Sequence, residues 1–513
     1  MGADTAGTAN AEREIALALG AVDPARIASH PLVKALAIGR AASRRLVSTY
    51  YDTADRDLIG ADVVLRVRSA RGRHVQTLKA GDPKGAGLAA RAEWETALDG
   101  PDPIWPTAAP DSFDGRLGKA LSRPIRAVFV TDFTRATRRL ATPDGAVVEL
   151  AIDTGEIRAG DAACPVAEVE LELISGPPAA LFDLAAGLSA DLPLTLQTAS
   201  KGERGYQLAD RRRNPPVLGS RPALRPDMSI ADAFEAIAPA AAGQAVSNTP
   251  AILDGDDPVE GVHQMRVGLR RLRAALEVFA PHLAKPDSRR IRALLRPTLR
   301  LLGPVRDLDV FADETLPPVQ AAFPGDRALA AFARLTGKVR GSEARTLADH
   351  LADPAYTRAW LAVGRWLASA PVAADGPATA FATRVLGRHA RRVARAGRRI
   401  DDGPLEALHA LRIELKHLRY AAEFFAALFD EKAVDRQLRA VKKTQDILGH
   451  LNDLAVADAA IARIEAGAAA DSARETARGA GMVRGWLGAQ QPARRADARK
   501  AYHAFAEVAP FWA

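Results

Sequence analysis

The sequence predicts an α+β multidomain chain, with an antiparallel β-barrel over roughly the first 210 residues and then an all-α part containing an internal duplication. Three observations predict it. The hydrophobic period is two in the first part and 3.6 in the second. A proline-rich stretch of little periodicity, NPPVLGSRPALRPD around 213–226, marks the change. Beyond it, two motifs each recur at a single offset of 146 residues.

In chain order, the segments VVLRVRSA, HVQTLKA, AVVELAID and VAEVELELIS alternate charged or polar with apolar residues and are separated by Gly, Pro and Asp turns. In a closed barrel one face of such strands packs outward and the other lines a polar interior. The second part holds long Ala/Leu/Arg runs such as VHQMRVGLRRLRAALEVFA and ALHALRIELKHLRYAAEFFAALF. They are preceded by helix-start signals at Asp256, Asp257 and Pro258 and at Gly403 and Pro404. At 513 residues the chain exceeds one ordinary core, and the reading is two domains, 11–212 and 227–513, joined by a linker at 213–226.

Composition excludes several classes. The single cysteine, Cys164, rules out an internal disulfide. No apolar run of about 18 residues is available to span a bilayer. Asp4, Glu12 and Glu14 stand where a signal peptide needs a basic start and an apolar run, so the expected location is cytoplasmic. The net charge of +8 is unevenly placed, because residues 1–224 hold 28 Lys+Arg against 28 Asp+Glu and residues 225–513 hold 42 against 34. A polyanion suits that second part, since its phosphates release counterions on binding. A solvated basic surface is the plainer alternative.

The duplication sharpens this. His263, Arg266, Arg270 and Arg273 are spaced 3, 4 and 3, as are His409, Arg412, Lys416 and Arg419, and the sets are 146 residues apart. The same offset carries LLGPVRDLDV at 301–310 onto ILGHLNDLAV at 447–456. Each set forms one stripe of a helix, where like charges repel unless an anion lies across them. The structural alternative is ion pairing to acids on neighbouring helices, such as Asp307 and Asp453. A further basic run puts Arg384, Arg388, Arg391, Arg395 and Arg398 on one helix face, which a solvated surface explains equally well.

On these repeated motifs the region 227–513 resembles the CHAD family, the conserved-histidine α-helical domains. The resemblance implies two four-helix bundles and a basic groove for inorganic polyphosphate, held by the two His/Arg/Lys stripes. The first part, roughly 11–210, resembles the CYTH or triphosphate-tunnel family through LRVR, TLK, RAEWET, TRATR, EVELE and SKGERGYQL. That resemblance implies a barrel enclosing a tripolyphosphate, with Arg66, Arg68, Lys79, Arg135, Arg138, Lys201 and Arg204 as phosphate ligands. It implies Glu14, Glu168 and Glu170, with Glu172 and Glu149 as further candidates, on the side of a Mg2+ or Mn2+ ion. Inorganic triphosphatase activity usually accompanies this pair of domains.

The first strand departs from the family. Its Glu-x-Glu-x-Lys motif is EREIALAL at 12–19 here, and aligning Glu14 with the motif's start puts Ala16 and Ala18 at the second Glu and the Lys. A shift of two residues keeps Glu12 and Glu14 but leaves Ala16 at the Lys. Alanine offers no ammonium, so the expectation is triphosphate and polyphosphate binding, with attachment to polyphosphate granules and hydrolysis as the alternative. A nucleic-acid partner is the third reading, disfavoured because aromatics are 5% of the chain and none interleave with the cation stripes. Zinc at His263 or His409 is disfavoured for want of partner ligands, apart from His417 on the second helix. Histidine as a phosphate donor predicts binding that strengthens below about pH 6.5.

Overall fold

The structure is a computed structural model that describes residues 12–70, 72–80, 89–105, 122–469 and 473–512. The side chains of Glu12 and Asp453, both weighed above, lie outside the described residues.

Among the described residues, one antiparallel sheet contains β1 (Glu12–Ala18), β2 (Ala37–Thr53), β3 (Val63–Ala70), β4 (Arg73–Ala80), β5 (Ala89–Leu98), β6 (Ile125–Ala141), β7 (Val147–Ala159), β8 (Ala162–Ser175) and β9 (Thr195–Leu196). The strand order is β5-β4-β3-β2-β6-β7-β8-β1-β9, and β1 also pairs with β5. That pairing joins the two ends of the sheet into a barrel, so the edges that would invite aggregation are largely consumed.

Alternation decides which residues face which way. Ile15, Leu17 and Leu19 of the first strand segment are fully buried on the outer face. They pack with Val148, Leu150, Ile152, Val169 and Leu171. Over this layer lies a helix, α4 (Ala179–Asp191), through Leu181, Leu184 and Leu188. Burying each such Leu is worth roughly 1.5–3 kcal/mol, which keeps α4 on this side of the barrel. Before α4 the chain makes only short helices, α1 (Pro24–Ala28), α2 (Pro31–Leu36) and α3 (Asp57–Gly60), and after β9 it makes α5 (Lys201–Ala209).

The rest is helical. It comprises α6 (Ile230–Val246), α7 (Thr249–Asp254), α8 (Pro258–Val278), α9 (Lys285–Val310), α10 (Leu316–Ala322), α11 (Arg327–Ala352), α12 (Pro354–Ala368), α13 (Ala378–Gly397), α14 (Leu405–Phe425), α15 (Glu431–Ala466) and α16 (Ala473–Ala506). The offset of 146 extends well beyond the two motifs. It carries the 3-10 turn Ala280–His282 onto Ala426–Leu428, the start of α9 onto that of α15, and the start of α11 onto that of α16. Each copy therefore has four principal helices, α6-α8-α9-α11 and α13-α14-α15-α16. The copies differ after the second motif, where α9 gives way to a π-helical turn at Phe311–Thr315 and α15 runs on unbroken.

By packing, the chain forms two compact units that do not follow chain order. One contains Met1–Val217, Ala242–Gly261 and Ala352–Ser369, and the other Leu218–Ala241, Val262–Leu351 and Ala370–Ala513. Thus α12, which lies between the two helical copies, belongs with the barrel: Leu361 joins its outer core, and Arg365 bonds Asp183 of α4. The stretch expected as a linker is tied down along its length. Val217 exchanges two hydrogen bonds of 2.9 Å with the buried Asn248 side chain, and Arg271 Nη2 donates to Ser220 O at 2.8 Å.

Candidate functional site

Inside the barrel is a cavity of about 230 Å³ lined by charges of both signs. On one side β2, β3, β4 and β6 present Arg44, Arg66, Arg68, Lys79 and Arg135. Strand parity places them together: Arg66 and Arg68 alternate with the buried Leu65 and Val67, and Arg44 lies directly across from Arg135. The buried Tyr50 between them records the field. Burial raises its hydroxyl pKa, but Arg66, Arg68 and Lys79 outweigh that and draw it below the usual phenol value.

On the other side β1, β7 and β8 present carboxylates. Across β7 and β8, Glu149 faces Glu172 and Asp153 faces Glu168, with Ala151 opposite Glu170. Asp153, Glu168 and Glu170 bring one oxygen each to within 4.8 Å of one another. Asp153 and Glu168 are 0% and 2% exposed, so their charges must be compensated by protein groups or a bound cation. Lys201 Nζ supplies this at 2.7 Å from Asp153 and 2.6 Å from Glu170, and it also bonds Glu168. Arg135 forks onto Asp153 at 2.8 and 2.6 Å and reaches Glu170, while Arg204 bonds Glu168.

The two signs stabilise one another. Burial opposes ionisation of Glu170, yet Lys201 and Arg135 hold its carboxyl well below the usual range. Burial likewise opposes the charge on Lys201, and Glu170, Glu168 and Asp153 more than restore it. Lys201 and Arg204 are aimed by the start of α5, where Ser200 and Glu203 form a reciprocal cap: Ser200 N donates to Glu203 Oε2 at 2.8 Å, and Glu203 N donates to Ser200 Oγ at 3.2 Å. Gly205 lets that helix seat, because a Cβ there would lie 2.0 Å from the Phe129 ring.

Most of the sequence-predicted barrel residues meet at this site. Arg66, Arg68, Lys79, Arg135, Lys201, Glu14 and Glu170 line the cavity, and Glu168 and Arg204 sit behind it. Arg138 does not join them. It pairs with Leu150 on the outer-core face of β6, because three residues from Arg135 is an odd step and strand faces alternate. Arg139, opposite Glu149, has the inward parity instead. Glu14 lies opposite Glu172, and the third carboxylate of the tight cluster is Asp153, which the motif reading missed. The alternation Glu149, Ala151, Asp153 in VELAID was the signal for it. Ala16 and Ala18 face Glu170 and Glu168 directly, so the degenerate motif lies against the acid cluster.

In the helical unit a larger cavity, about 540 Å³, collects Arg306, Arg412, Lys416, Arg419 and Arg494 with Asp446, Glu314 and Trp486. Of the two stripes only the second lines it, through Arg412, Lys416 and Arg419, while Arg266 and Arg270 of the first act on Lys416 from α8. Burial, then Arg270, Arg412, Arg266 and Arg419 in that order, push the Lys416 ammonium down to about 7. Burial and then Arg270 similarly push Arg266 down to about 10. Two ion pairs involve the stripes among the described residues: Arg266 is 3.8 Å from Asp307, and Arg419 is 3.4 Å from Glu423 on its own helix. Gly303 of the repeated motif makes room, since a Cβ there would meet Arg266 Nη1 at 3.4 Å. His263, Arg266, Arg270, Arg273 and His409 are not among the residues lining this cavity, and Arg273 and His409 are exposed. Arg306 and Arg494 were not anticipated. Arg384, Arg388, Arg391, Arg395 and Arg398 are all exposed, as a solvated face would be.

None of the described helices is long and apolar enough to cross a membrane. The CYTH domain family matches residues 23–206, and the CHAD domain family matches residues 236–462. The inorganic triphosphatase of Haemophilus influenzae is 32% identical over 167 residues, covering 33% of this chain, which spans 47%, or about half, of that relative's length. The crystal structure of the CHAD domain from the plant Ricinus communis is 31% identical and covers 56% of this chain and 97% of its own, with a TM-score of 0.50. A putative adenylyl cyclase from Hippeastrum, described as having a dominant triphosphatase activity, is 19% identical over 38% of this chain and 95% of its own, with a TM-score of 0.29. With the β-barrel and the duplicated helices matched in order, this chain belongs to the proteins that carry an N-terminal CYTH domain followed by a C-terminal CHAD domain.

Proposed function

We propose that the barrel binds inorganic triphosphate together with a divalent cation, and that the helical cavity binds inorganic polyphosphate. The observation that carries the reading is the lining of one cavity by Arg44, Arg66, Arg68 and Lys79 together with the carboxylates of Glu14, Glu149, Glu170 and Glu172, with Asp153 and Glu168 clustered beside Glu170. An anion rich in phosphoryl oxygens satisfies the first group, and a hard cation satisfies the second, for which Mg2+ or Mn2+ has the right oxygen preference. Such an ion would neutralise charge on the phosphoryl oxygens.

Arg135 and Lys201 bond Asp153 and Glu170 and also line the cavity. A triphosphate that attracts them frees the carboxylates for the ion, so each ligand strengthens binding of the other. In the helical cavity, cations crowded against cations are relieved by a polyanion. That would carry the chain to polyphosphate granules.

Hydrolysis is the second reading, and one observation favours it. Lys201 brings an ammonium to Glu168 and Glu170, the two residues facing Ala18 and Ala16, and so supplies the group that the first strand lacks. The relative named inorganic triphosphatase agrees with this. The deciding experiment is phosphate release from tripolyphosphate with Mg2+ or Mn2+, comparing the wild type with an Ala16→Glu, Ala18→Lys variant after both are shown to bind polyphosphate. Turnover by the wild type assigns the ammonium role to Lys201. An inert wild type beside an active variant makes the barrel a binding site, and no triphosphate binding by either protein removes the barrel reading altogether.

A further inference from the structure

The helical unit contains a second cluster of donors outside the lining of the cationic cavity. His389 comes from α13, and Glu414 and His417, one turn apart, come from α14. Each offers a ligand atom, and these atoms all lie within 4.8 Å of one another. His417 Nδ1 is 3.8 Å from Glu414 Oε2, and His417 Nε2 is 3.7 Å from Glu277 Oε2 on α8. The two imidazole rings are 6.0 Å apart between centroids.

The chemistry of this cluster is that of a cation site. A neutral imidazole and a carboxylate both present lone pairs, and here they converge with too few donors to receive them. His389 Nδ1 and Glu414 Oε2 are buried and make no hydrogen bond. The ordinary alternative, a charged His417 paired with Glu414, leaves the His389 nitrogen unsatisfied. Of the surrounding cations, Arg388 and Arg392 are exposed to solvent, and Arg292 is 3.3 Å from Glu277.

We propose that His389, Glu414 and His417 form a site for a zinc-type divalent transition ion, with water in the fourth position. Two histidines and one glutamate are an established zinc donor set. Bonds of about 2.0–2.2 Å place tetrahedral ligands roughly 3.4 Å apart, so donor atoms now within 4.8 Å must close by up to about 1.4 Å, within the reach of side-chain rotation. The bound ion would fasten α13 to α14, the helix whose neighbouring face carries Arg412, Lys416 and Arg419. It would thereby set the position of that cationic stripe.

The test uses the full chain, stripped with chelator and titrated with Zn2+ or Co2+. The wild type is expected to bind about one equivalent more than a His389→Ala, His417→Ala variant, to show the visible bands of low-coordinate Co2+, and to rise in Tm with Zn2+. Each single alanine variant should weaken the ion at least about tenfold while leaving metal-free polyphosphate binding unchanged. Should the alanine variants fold poorly, Glu414→Gln provides the same comparison with less disturbance. Equal Zn2+ uptake and equal Co2+ spectra in wild type and variants would overturn the proposal, and so would a wild-type Tm that ignores Zn2+.

Discussion

The two charged sites handle their cations in opposite ways. In the barrel, Lys201 is enclosed by Asp153, Glu168 and Glu170, and its ammonium is held more firmly protonated than a lysine in water. In the helical unit, Lys416 is enclosed by Arg266, Arg270, Arg412 and Arg419 and loses its proton near neutrality. One site is neutralised by its own carboxylates, and on the proposed reading it would exchange partners when a ligand arrives. The other crowds like charges together, which loss of the Lys416 proton or a bound anion would relieve. A solvated basic surface shows neither pattern, because its charges spread apart.

The largest effect should follow from breaking the neutralised site. Lys201→Ala leaves buried carboxylates without their shared cation, a loss of about 3–5 kcal/mol for a buried pair and on the order of 10 °C in Tm for a domain of this size. Calorimetry should show that fall, along with loss of triphosphate binding. Adding Glu168→Gln should recover stability but not binding, and a Lys201→Ala protein of wild-type Tm would contradict the account.

Salt should separate the sites next. Polyphosphate affinity should fall by about two orders of magnitude between 50 and 200 mM salt if four or so cations engage phosphates, with Arg412→Ala lowering the log–log slope by roughly 1. Triphosphate binding in the enclosed barrel should change much less. Equal slopes measured by titration for the two ligands would erase the distinction.

The smallest effect is in pH. Because its pKa is lowered to about 7, Lys416 is charged below that value and neutral above it. Polyphosphate affinity should therefore drop about tenfold from pH 6 to pH 8, measured with chelator present so that no ion at His417 intervenes. The groups facing Lys416 in its cavity are Arg306 and Glu314 from the first copy and Arg412, Arg419, Asp446 and Arg494 from the second. Arg266 and Arg270 act on it from α8. Lys416→Arg should flatten the profile. The sequence had pointed to histidine for this dependence, but the cavity lining contains neither His263 nor His409.

What was legible in the sequence was whatever repeats along a single element. Alternation in LRVR and EVELE put Arg66, Arg68, Glu168 and Glu170 on the inner face, and helical spacing put Arg412, Lys416 and Arg419 on one stripe. Arg138 shows what happens when a motif is copied without its parity. Asp153 has the inward parity, opposite Glu168, but belongs to none of the family motifs. His389 could not have been joined to His417 from the sequence, because only the packing of α13 on α14 brings residues 28 apart onto one site. Nor could Leu361 have been assigned to the barrel's outer core, since its helix reads like any other amphipathic segment between the copies.

That last placement gives the protein a timetable. The α4 face of the barrel is finished by a helix in the segment Ala352–Ser369, whereas the barrel's own continuous chain ends at Val217. At about 5–20 residues per second, synthesis of the intervening 152 residues takes roughly 8–30 s. Throughout that interval the outer core around Leu181 and Phe182 would lack the cover that Leu361 supplies.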